Sequence, residues 1–75
     1  MSKEWMETVA LAEAAAEQKQ AAEEVAVERF RAVRQRDEAN ATQTPEFHAW
    51  ISARHATDEA WGQWAMAMDA KPATV

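Results

Sequence analysis

Apolar residues recur at helical spacing through both halves of the chain. At 100° per residue, Trp5, Val9, Ala12, Ala16, Ala26, Val27, Phe30 and Val33 fall on one broad stripe. A neighbouring, smaller stripe carries Leu11, Ala15 and Ala22, and shares Ala26 and Val33. In the second half, Phe47, Trp50, Ala53, Thr57, Trp61, Trp64, Ala65 and Met68 gather on one face. The first pattern is rich in small side chains and the second in bulky ones.

Start and stop signals divide these patterns into two helices. Ser2 is placed to cap the first, with Glu4 and Glu7 near its positive end. No glycine or proline interrupts the chain from there to about Ala39. The break falls at residues 40–45, where Thr44, Pro45 and Glu46 supply a hydroxyl cap, a proline for the first helical position and an acid behind it. The second helix runs to about Ala70 and Pro72 ends it. The expected fold is all-α, one antiparallel hairpin of helices at about 2–39 and 45–70 forming a single domain.

Folding the hairpin about residue 42 sets Val33 near Ile51, Phe30 near Arg54, Glu23 near Trp61 and Ala16 near Met68. The indoles of the second helix then meet the alanine stretch of the first, small opposite large. The lengths do not match: ~37 residues span ~56 Å and ~25 span ~38 Å, at 1.5 Å per residue. This register leaves Trp5, Met6, Val9 and Leu11 without an intrachain partner, an apolar patch that a second copy would cover in a four-helix arrangement. The expectation is a homodimer whose interface includes Trp5, Val9, Leu11, Ala15 and Ala22.

Size and composition point the same way. A 75-residue chain buries only ~60% of the surface its unfolded form exposes, so it needs a supplement such as disulfides, a metal or oligomerisation. With no cysteine, disulfides and thiolate zinc sites are excluded. Nineteen alanines and a single glycine, Gly62, favour helix throughout, and four tryptophans stand out against that background. Thirteen acidic against eight basic residues give a net charge of −5, which argues against a grip on nucleic-acid phosphates. No apolar run approaches the ~20 residues of a membrane span, and residues 1–3 do not lead into a signal-peptide core. The sequence therefore reads as that of a cytoplasmic protein without a membrane partner.

Candidate chemistry is sparse. There is no cysteine nucleophile, no glycine-rich phosphate loop and no Ser/His/Asp set, so the reading is of a protein that is not an enzyme and uses no cofactor. His48, His55 and Glu59 lie within reach of one side of the second helix, but HxxxE spacing is common by chance and reads as solvent-exposed polarity. Arg29, Arg31, Arg34 and Arg36 form the one basic cluster, where cations also offset a helix dipole. Arg54 and Asp58, four residues apart, edge the aromatic face. Arg and Trp are the residue types most enriched at binding hot spots, so Arg31, Arg34, Trp50, Arg54 and Asp58 are the candidate partner-binding residues. The acidic row Glu13, Glu17, Glu24 and Glu28 reads as a solvated helix face.

In size, alanine and tryptophan content, acidity and lack of catalytic residues, the chain resembles the small accessory proteins of temperate bacteriophages, over its whole length and at no individual residue. Some of those act as anti-CRISPR or other anti-defence inhibitors, or as modulators of host proteins. The resemblance implies a protein that binds a host protein complex in the bacterial cytoplasm and occludes or disassembles it. The alternatives are a structural or assembly protein, such as a phage scaffold or chaperone with a phage protein partner, and a nucleic-acid-binding regulator using the arginine end.

Overall fold

The structure, a computed structural model, describes residues 2–72, with side chains from Lys3 onward; the expected Ser2 cap lies outside the described side chains. Helix α1 spans Ser2–Arg36, a 3-10 helix spans Glu38–Gln43, and helix α2 spans Pro45–Asp69. The two long helices pack as the expected hairpin, a rod of 57 × 14 × 13 Å.

Spacing along α1 explains how the rod holds together. Trp5, Val9, Ala12, Ala16, Lys19, Glu23, Ala26, Phe30 and Val33 follow one another at alternating steps of four and three. All but Lys19 are buried or half-buried. On α2, Glu46, Trp50, Ala53, Thr57, Ala60, Trp64 and Ala67 follow the same alternation, and none is exposed. This is the seven-residue repeat of paired helices, and a straight 100° projection drifts off it by ~20° per repeat. The drift corrects one expectation: Ala65 and Met68, placed on the packing face by the straight projection, are exposed, and Ala60 and Ala67 occupy the seam instead.

The connection differs more. α1 stops at Arg36, about three residues short of the expected end. Asp37 leaves helical geometry at φ −154°, ψ 80°, and its carboxylate accepts a hydrogen bond from the Asn40 amide at 3.0 Å. Such local side-chain bonds offer the backbone an alternative to helix. The 3-10 helix that follows folds back over the end of α1 and buries Ala41. Thr44 then caps α2 as its sequence indicates, its hydroxyl oxygen accepting from the Phe47 amide at 3.2 Å ahead of Pro45.

Because the connection folds back, α2 begins level with Arg29: Ala26 and Arg29 share a groove with Pro45, Glu46 and Ala49. Farther along, Ala12, Ala15 and Lys19 share one with Ala56, Glu59, Ala60 and Gln63. The fold about residue 42 is therefore corrected. Phe30 meets Phe47 and Trp50, with ring centroids 5.4 and 5.3 Å away, in place of Arg54. The 25 residues of α2 now run alongside α1 down to its first turns.

Trp5 consequently has a partner in its own chain. Its indole N–H donates to the Ala67 carbonyl at 2.7 Å. That carbonyl lies in the last turn of α2, where the helix supplies no donor of its own, since Lys71 N–H turns to Met68. Lys71 also sits 5.9 Å from the Trp5 ring centroid, a cation over an aromatic face. The unpartnered helix start expected from the length mismatch is thus corrected for Trp5 and Val9, both half-buried in the seam.

The core remains thin. Among the described residues Ala16 is 0% exposed and Phe30 6%, Val33, Ala41 and Thr57 complete the buried set, and no large side chain is fully buried. Aromatic packing concentrates near the two ends. The middle of the seam carries Lys19, Glu23 and Thr57, whose hydroxyl donates to the Ala53 carbonyl at 3.0 Å.

Candidate interaction surfaces

With one seam closed, the hairpin has two long open flanks, and their chemistry differs. The first flank bears the two grooves just described, about 360 and 210 Å³ in volume, with alanine making up half of their lining. On α1 its ridge is a second row at four-three spacing, Leu11, Ala15, Ala22, Val25 and Ala32, with Gln18 and Arg29 between them. Leu11 is 73% exposed and Val25 52%. On α2 the matching row holds Ala49, Ala56, Met66 and Ala70, with Ser52, Glu59 and Gln63 interspersed, and Met66 is 66% exposed. The two rows carry Arg29 and Glu59, and Lys19 and Glu46 line the same grooves, so two cations and two carboxylates leave this flank without net charge on a molecule of net charge −5.

The other flank is polar and aromatic. Glu17, Gln20, Ala21, Glu24 and Trp61 line a groove of about 380 Å³ there. The Trp61 indole N–H donates to the Gln20 side-chain carbonyl at 3.2 Å, and its ring packs edge-on against Trp64 at 5.5 Å between centroids. Heptad position places Val27, Arg31 and Arg34 on this same flank of α1, and Phe47, Ile51, Arg54 and Asp58 on this flank of α2.

No protein-family model, no curated protein and no solved structure matches this chain.

The sequence-derived binding residues separate into three groups. Arg31 and Arg34 are exposed near the connection, and Arg31 pairs with Glu28, the one ion pair among the described residues. Arg54 and Asp58 are exposed on the same flank and do not pair with each other. The expected gathering of Arg31, Arg34 and Arg54 at one end is corrected by the register: Arg54 lies level with Ala21–Ala22, more than three turns, or about 18 Å, from Arg34. Trp50 belongs to neither flank. It sits half-buried in the seam, stacked on Phe30 at 19° between ring planes, and its indole N–H is buried without an acceptor. Trp64 has the same orphan donor. Either one costs free energy that a hydrogen bond would recover, about 1–3 kcal/mol.

Of the expected oligomer interface, Trp5 and Val9 go to the seam, while Leu11, Ala15 and Ala22 lie together on the neutral flank. Val25, Met66 and Ala49 on that flank escaped the sequence reading. The four-three spacing that Val25 continues from Leu11, Ala15 and Ala22 was the signal that would have found it. No three His, Asp or Glu side chains among the described residues come together as a metal site, and His48 and His55 are both exposed. No described helix is long and apolar enough to cross a membrane.

Proposed function

We propose that this chain is a non-enzymatic protein–protein interaction module that binds its partner through the polar and aromatic flank. The observation that carries the reading is the row of exposed Arg31, Arg34, Arg54 and Asp58 beside half-buried Phe47, Ile51 and Trp61. Arginine and aromatic side chains at a desolvated centre with a charged rim are the composition of binding hot spots. Arginines spread along ~18 Å of an acidic rod also orient a partner before contact, since complementary potentials steer encounter and fix register. Following the resemblance to phage accessory proteins, the proposed partner is a host protein complex, which the rod occludes.

The test is a pull-down from bacterial lysate with the tagged parent and the double variant Arg34→Glu, Arg54→Glu. Both side chains are exposed and form no ion pair among the described residues, so the variant is expected to keep its helical circular dichroism. It is expected to lose the protein that the parent retains. Retention at the parent's affinity would place the binding surface elsewhere.

A further inference from the structure

The neutral flank calls for a different occupant, and we infer that a second copy of this chain covers it, giving an antiparallel four-helix bundle. The inference concerns the opposite side of the rod from the proposed partner surface and stands without that proposal. Its first support is area. The chain leaves 5734 Å² accessible, whereas a folded monomer of 8.4 kDa leaves about 4,600 Å². The excess, about 1,100 Å², exceeds the ~800 Å² that each partner buries in an interface of standard size.

The second support is what the flank is made of. Alanines along both helices let backbones approach to the ~8 Å end of the helix-packing range, and Leu11, Val25 and Met66 stand ready to fill the grooves of a facing copy. A strongly charged partner finds no net charge to hold there, since Lys19 and Arg29 are offset by Glu46 and Glu59 along its grooves. A partner with the same neutral, small-residue surface fits, and a two-fold pairing uses one patch twice.

Apolar pairing then selects the orientation. Setting α1 antiparallel to α1 of the second copy, with the two-fold axis at Gln18, brings Leu11 level with the second copy's Val25 and Arg29 level with its Glu7, one turn from Glu4. By symmetry this juxtaposition occurs once at each end of the interface. On α2 the same axis sets Ala49 against the large, exposed Met66 of the other copy. The alternative two-fold, which stacks α1 over α2 with both connections at one end, sets Arg29 level with Glu46 of the second copy but leaves Val25 facing Ser52 in place of Leu11.

Light scattering on the full chain at micromolar concentration is expected to read twice 8.4 kDa, and Val25→Glu to halve that mass with helicity retained. The chain has no cysteine, so Gln18→Cys supplies a single reactive thiol. With a short bis-maleimide this variant is expected to link two chains covalently, because its thiols meet at the axis, while Glu7→Cys alone is not. A parent mass of 8.4 kDa across that range would overturn the inference. So would a dimer in which Gln18→Cys fails to cross-link, since that dimer uses another surface or the other two-fold. Neither reading depends on capture of a lysate protein.

Discussion

Phe30→Ala is expected to unfold most of the protein at 25 °C. Phe30 is the largest of the buried side chains and the one that joins the two helices at the connection. Its ring stacks on Trp50 and meets Phe47 at a 56° tilt, while Phe47 closes the third side, edge-on to Trp50 with centroids 6.1 Å apart. Truncating a buried phenylalanine costs about 3–5 kcal/mol, because the transfer free energy is lost and the rigid neighbours leave a cavity. Each lost aromatic pairing adds about 0.5–1.5 kcal/mol. Total stability for a chain of this length is of the order of 4–11 kcal/mol, at 0.05–0.15 kcal/mol per residue. A core with so few buried side chains belongs at the lower end. The check is far-UV circular dichroism through a thermal melt at fixed protein concentration. A melting temperature within a few degrees of the parent would mean that the aromatic group does not hold the hairpin.

Ala16→Asp is the second large effect. Ala16 is the only described side chain that is wholly inaccessible, and it sits in the α1 seam one turn from Ala12. An aspartate there buries a carboxylate against Thr57, Ala60 and Trp64 of α2, and the one cation within a turn, Lys19, is itself exposed and offsets little of that cost. Burying an unpaired ionised group costs several kcal/mol, or forces the carboxyl to take up a proton. Ala14→Asp, two residues away on the exposed side, is the control and should stay within about 0.5 kcal/mol of the parent. Guanidinium unfolding of the pair reads the contrast directly. Equal midpoints for the two variants would place the seam wrongly.

That contrast also marks where sequence reading ran out. Ala14, Ala15 and Ala16 have one hydropathy, yet Ala16 is enclosed and its two neighbours are exposed. Only the spacing to Trp5, Ala12, Glu23 and Phe30 distinguishes them, and Lys19 and Glu23 obscure it because they interrupt the apolar series. The start of α2 was legible because Thr44, Pro45 and Glu46 act within a single turn. The register was not, because it depends on Asp37 and Asn40 ending α1 early and folding the chain back, a choice made by side-chain bonds that leave no apolar pattern. One slip of register then displaced several assignments. Trp5 gained Ala67, Phe30 lost Arg54 to Trp50, and the arginines of the two helices drew apart along one flank. Leu11, Ala15 and Ala22 were correctly separated from the main stripe, since two rows at helical spacing cannot both face one partner helix.

That register decides which residues close the seam and therefore which flanks remain open. Paired cysteines measure it most directly, because the native chain contributes none. Arg29→Cys with Ala49→Cys places two thiols on the walls of one groove. Arg29→Cys with His55→Cys tests the alternative fold about residue 42, in which those two positions are level. The expected result is rapid cross-linking within one chain by a short bis-maleimide for the Arg29–Ala49 pair and none for the Arg29–His55 pair. Intrachain cross-linking of the Arg29–His55 pair in place of the other would contradict the seam, and with it both flanks.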